Sequence, residues 1–159
     1  MCYNTRMINE DFFADQFLDE LTAYNLNAVS LAFVGDAVYS LFIRTHFCIK
    51  TQAKSGELHK KSTKYVKATA QSSSLDVIEP ILTEKERDIL RRGRNTKTNT
   101  VSKNASLGDY KKSTAFEAVL GYLYLSGQKD RLNEILNLAT KDIRSEKWLL
   151  VEKIVFTKQ

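Results

Sequence analysis

Leu31-Ala32-Phe33-Val34-Gly35-Asp36-Ala37-Val38-Tyr39 places a carboxylate in the middle of an apolar helical stretch. About eighty residues later, Ser113-Thr114-Ala115-Phe116-Glu117-Ala118-Val119-Leu120-Gly121-Tyr122 repeats the arrangement. A charge on the apolar side of a helix costs several kcal/mol unless something compensates it. Each acid has a glycine close by, Gly35 or Gly121, where two backbones can approach. One divalent cation shared by both would compensate them together, so Asp36 and Glu117 are the candidate metal ligands.

The bulk properties are those of one domain. The chain has 159 residues and is 43% hydrophobic, enough for a core. Its longest unbroken apolar run, over residues 118–125, is far below the roughly 18–20 residues that span a bilayer. Near the N-terminus Arg6 is followed by Asn9-Glu10-Asp11, not by the apolar stretch of a signal peptide. Cys2 and Cys48 form neither a disulfide framework nor a zinc spacing. The expectation is a soluble cytoplasmic protein with no membrane partner.

The net charge of +5 hides a pronounced segregation along the chain. Residues 1–30 carry a net of −4 and residues 72–90 a net of −3, whereas residues 51–71 carry +4 and residues 91–112 carry +6. Two basic segments in an otherwise balanced chain read as a footprint for a polyanion; the competing reading is two solvated helix faces. Residues 94–106 are the more telling segment. They contain Arg94, Asn95, Lys97 and Lys103, no acid, and little to bury.

Helical periodicity runs through nearly the whole chain, and one proline with six glycines leaves few breaks, so the fold class is all-α. A first helix is expected over about 9–23, capped by Asn9 and striped by Phe12, Phe13, Phe17, Leu18 and Leu21. A second, over about 25–47, is apolar on most of its circumference and reads as buried. Phe33, Val34, Val38, Leu41, Phe42 and Ile43 are more than one small core requires, which points to a dimer. The third follows Ser55, with Leu58, Ser62, Tyr65, Val66 and Thr69 inward and Lys60, Lys64 and Lys67 on the other side. A short helix is expected over 74–82.

Thr83-x-x-Glu86 has the form of a capping box and opens a helix that ends at Gly93, with Arg91 and Arg92 complementing its dipole. The sixth helix holds Glu117 and ends near Gly127; the seventh covers about 129–143. Thr114-x-x-Glu117 also has the form of a capping box, in which Glu117 would only satisfy a helix start. The tail over 145–159 is apolar in part and of undefined form.

The stretch over 26–44 resembles the signature helix of the ribonuclease III catalytic domain. Leu58-His59-Lys60-Lys61-Ser62, Leu90-Arg91-Arg92-Gly93-Arg94-Asn95 and the segment around Glu117 narrow the resemblance to the mini form, which has no double-stranded-RNA-binding domain. It covers about 26–140 of a single domain spanning 1–159, leaving an N-terminal extra helix and the tail outside.

The resemblance implies an all-α ribonuclease III fold, homodimeric, and a magnesium-dependent endoribonuclease that cleaves double-stranded RNA. It further implies maturation of the 23S ribosomal RNA precursor, with a ribosomal protein as a candidate helper. Asp36 and Glu117 take the places of the family's essential metal-binding acids. Lys60, Lys61, Lys64, Arg94, Asn95, Lys97, Lys103, Lys111 and Lys112 are the candidate RNA contacts. The longer enzymes carry further acids where this chain has Val29, Ala32 and Thr114. Two matched carboxylates remain per site, with Asp109 the nearest spare acid. The alternative function is a catalytically inactive RNA-binding protein of the same fold, associated with ribosomes; such proteins lack the metal-binding acids.

Overall fold

The computed structural model describes residues 17–51, 53–97 and 105–145. The helices are α1 (Glu20–Asn25), α2 (Ala28–Lys50), α3 (Ser55–Val66), α4 (Ala68–Ile78), α5 (Glu84–Arg94), α6 (Leu107–Leu125), α7 (Lys129–Ala139) and α8 (Lys141–Ser145). A 3₁₀ turn over Glu79–Ile81 joins α4 to α5, and no strand occurs among the described residues.

The centre of the fold is α6. From Ser113 to Leu123 every residue except Glu117 is buried, and α2, α4, α5 and α7 pack around it. Tyr39 of α2 meets Phe116 of α6 edge to face, with centroids 5.1 Å apart, the geometry favoured by aromatic quadrupoles. Leu31, Ile43, Leu75, Ile78, Ile89 and Ile135 complete the core from the surrounding helices.

The α2–α6 crossing is a backbone-on-backbone contact. A Cβ built on Gly35 would lie 1.8 Å from the carbonyl oxygen of Glu117, and one on Gly121 would lie 1.9 Å from that of Leu31. Only glycine fits at either position. Gly93 does the same for α5, where an added Cβ would come within 2.7 Å of Ala115 Cα. This glycine therefore lies within α5, whose last residue is Arg94, and does not end the helix as the sequence pattern predicts.

Several helix ends follow their caps. Asp19 accepts from the Thr22 N–H and opens α1, later than the start expected at Asn9, which lies outside the described residues. The Thr83–Glu86 capping box is formed in both directions. Lys67 adopts extended backbone, ending α3 and starting α4 well before the expected start at residue 74; Thr69 consequently sits exposed on α4. Gly127, at φ +68°, closes α6, as its position after the apolar run predicts. Thr140 separates α7 from α8, where one longer helix is expected from the sequence.

Periodicity is misleading about α2. Its inner face is buried, but Val29, Phe33, Leu41 and Ile49 are exposed, Phe33 to 82%. Nothing else in the described chain covers that outer face. By length and composition α2 would suffice to cross a bilayer, but its inner side is taken up by α6 and Asp36 interrupts it.

Gly35→Ala and Gly121→Ala are expected to destabilise the protein by about 3 kcal/mol or more, because backbone cannot yield as a side chain does. Gly56→Ala, with nothing within 4 Å of the added atom, should change stability by less than about 1 kcal/mol. Denaturant titration of the three variants checks the contrast.

Candidate active site

Asp36 follows Gly35 directly, and Glu117 contributes the carbonyl that Gly35 packs against. The glycine crossing thus brings the two acids to one place from helices far apart in sequence. They are not equivalent. Asp36 is exposed, contrary to the expectation of two buried acids, because it leaves α2 on the side away from the core. Glu117 is partly buried in the middle of α6.

Burial, and next the negative charge of Asp36, push the Glu117 carboxyl up to about 8. A negative charge beside Glu117 opposes its ionisation, the situation a bound cation relieves. The amide of Gln71, on α4, acts against the rise. Gln71 is almost fully buried, yet its Nε2 makes no hydrogen bond. A buried donor facing a carboxylate can orient that group; the acceptor oxygens that suit a cation are those of Asp36 and Glu117. Among the described residues no group of three or more His, Cys, Asp or Glu converges, so the protein offers two carboxylates and no denser cage. Gln71 went unnoticed in the sequence; its one signal is an amide within a helix of alanines and serines.

The remaining acids and their replacements are accounted for. Ser106 caps α6 through the Asp109 N–H and donates its hydroxyl to Asp109 Oδ2, which ties the spare acid to the helix start. The capping reading of Glu117 fails for the same reason: α6 begins two turns earlier, and the Thr114 hydroxyl donates to the Tyr110 carbonyl instead. Ala32 and Thr114 are buried and Val29 is exposed.

The basic residues divide into two groups. Lys60, Lys61 and Lys64 stand exposed on α3, and Asn95 and Lys97 are exposed after α5. Arg94 instead pairs with Glu79 at 2.8 Å, and Lys112 with Asp76 at 2.7 Å. Lys111 is partly buried, and Lys103 lies outside the described residues. Arg92 also has a task the sequence does not reveal: its guanidinium donates to the Tyr24 and Leu26 carbonyls, closing the end of α1.

The Ribonuclease III domain matches residues 29–128. The chain belongs to the ribonuclease III family and is an endoribonuclease. Within that family the likeness is to the short enzymes. The chain is 49% identical over 119 residues to Mini-ribonuclease 3 of Thermoanaerobacter sp., covering 75% of this chain and 84% of the relative. It is 39% identical over 135 residues to Mini-ribonuclease 3 of Kosmotoga olearia, covering 85% and 92%. A crystal structure of a Fusobacterium nucleatum protein superposes with a TM-score of 0.69 at 28% identity, covering 79% of this chain and 98% of that one.

The raised Glu117 carboxyl has a consequence for stability. In the metal-free protein it holds a proton that the unfolded chain has released, since the ordinary value is 4.5. Its contribution therefore makes stability fall as pH rises from about 4.5 to about 8. In EDTA, Glu117→Gln should remove this component and melt above the parent at pH 9. Identical pH profiles for variant and parent would show that Glu117 ionises without cost.

Proposed function

We propose that this endoribonuclease hydrolyses double-stranded RNA with magnesium held by Asp36 and Glu117, acting as a homodimer on the 23S ribosomal RNA precursor in the cytoplasm. The observation that carries the reading is the coupling of Glu117 to Asp36 at the Gly35–Gly121 crossing. Magnesium suits a site with two carboxylates because it keeps much of its hydration shell and accepts few protein ligands. When bound, such an ion supplies Lewis acidity toward a phosphate oxygen and lowers the pKa of an attacking water.

The residues of the chain perform the rest. Asp36, being exposed, faces incoming RNA and orients the water for in-line attack. Glu117, set back in α6, would hold the ion together with Asp36. A-form RNA presents backbone and 2′-hydroxyls in place of base edges, so recognition rests on cations. Lys60, Lys61, Lys64 and Lys97 are the exposed contacts, joined by Asn95 and by Lys111 and Lys103. Arg94 and Lys112 would have to exchange their carboxylate partners for phosphate. Endoribonuclease relatives and the presence of both acids disfavour an inactive ribosome-bound role. A helper ribosomal protein remains part of the proposal without a surface assigned to it.

The uncovered face of α2 supports the homodimer. Val34, Val38, Leu41, Phe42, Leu132 and Leu136 help to line an apolar groove of about 530 Å³. Phe33 projects from the same helix. A second copy would hide both and set two catalytic sites on one duplex, one for each strand. Exposed apolar patches of this kind mark interfaces.

Asp36→Asn should retain helical circular dichroism while cleavage of long duplex RNA falls by orders of magnitude; duplex DNA and single strands should resist the parent enzyme. Full activity in a folded Asp36→Asn protein overturns the site. Phe33→Glu should sediment as a monomer at micromolar concentration where the parent is dimeric; a monomeric parent removes the dimer from the proposal.

A further inference from the structure

Three buried polar side chains lie on one short helix, and two of them have explanations. On α4, Gln71, Ser72 and Ser74 are all buried. Ser74 donates to the Ala139 carbonyl, joining α4 to the end of α7. Ser72 lies against Asp109 at the start of α6 and helps to hold that carboxyl below its usual range. Gln71 is the exception. It is 1% exposed and its Nε2 has no hydrogen-bond partner. A buried donor left unpaired is destabilising, and methionine would fill the same space with no polar atom to satisfy. Stability therefore does not account for an amide at this position.

Its surroundings do. α4 packs on α6, and the group that the Gln71 amide faces there is the Glu117 carboxyl. A carboxylate that holds a cation through one oxygen leaves lone pairs that need a donor, and partners behind metal ligands commonly set ligand orientation. We infer that Gln71 is a positioning residue: its buried amide, unpaired in the metal-free protein, is placed to donate to Glu117 and to hold that carboxylate in the orientation that receives the cation. The inference rests on the assignment of Asp36 and Glu117 as the metal site. Gln71 itself touches neither RNA nor the reacting atoms. It acts through Glu117.

The test uses Gln71→Met, which keeps length and removes the donor, and Gln71→Asn, which keeps the amide but withdraws it by one methylene. Mn2+ binding is measured on the full-length protein without RNA, by electron paramagnetic resonance, together with melting temperature and the kinetics of duplex cleavage. Gln71→Met should melt at or above the parent, yet bind Mn2+ about 10- to 100-fold more weakly. Its kcat should fall while KM for duplex RNA stays the same. Gln71→Asn should show the same loss of Mn2+ affinity, and it carries the test if the methionine variant does not fold.

Mn2+ affinity and kcat equal to the parent in both variants would overturn the role of Gln71. A lowered melting temperature with unchanged Mn2+ affinity would overturn it too, making the residue a packing element. Asp36→Asn serves as the control. If it binds Mn2+ as the parent does, the metal site itself is wrong and the inference falls with it. If Asp36→Asn loses Mn2+ and the Gln71 variants keep it, the inference alone fails.

Discussion

Gly35 and Gly121 set the separation of α2 and α6, and through it the position of every group at the site. With carbonyl oxygens lying less than 2 Å from where a Cβ would stand, the helices touch along their backbones. Such contact leaves no soft side chain to absorb change, because interiors packed at crystal density respond to even one extra methyl group. The edge-to-face pair of Tyr39 and Phe116 holds the crossing on the core side. On the other side lie Asp36 and Glu117. Catalytic groups placed by rigid helices keep their geometry better than groups on loops.

The outer parts of the fold are tied down by a few charged side chains with many partners. Arg131 of α7 makes a two-point contact with Glu86, through Nε at 2.9 Å and a terminal nitrogen at 2.8 Å, and also reaches the Ile81 carbonyl. Glu86 accepts in addition from the Thr83 N–H. Burial pushes the Glu86 carboxyl up, but Arg131 and Thr83 together hold it below its ordinary value. One acid therefore caps α5 and docks α7 onto it. Arg92 works similarly at the end of α1, and it also stacks over Tyr24 at 4.8 Å. Arg131 and Glu86 satisfy each other inside the protein, which distinguishes them from Gln71.

The two acids differ in environment. Asp36 is open to solvent and Glu117 is drawn into the helical layer, so the pair has a wet side and a dry side. In the proposed reading RNA approaches from the wet side; the lysines of α3 are exposed as well. The exposed face of α2 also carries Val29, Phe33 and Leu41, so in the proposed reading one helix serves both the site and an interface.

Local rules were legible in the chain. All-α character, the Thr83–Glu86 box, the end of α6 near Gly127 and the candidacy of Asp36 and Glu117 follow from periodicity, caps and short motifs, which act over three or four residues. What lay beyond reach depends on contacts between segments far apart. That α6 and not α2 is the buried centre, that Gly93 packs a helix instead of ending one, and that Arg94 is paired with Glu79 are consequences of which faces meet. So are the exposure of Asp36 and the orphaned amide of Gln71. An amphipathic pattern states that a face needs covering, but only the assembled helices decide what covers it, because burial is a property of neighbours and not of spacing.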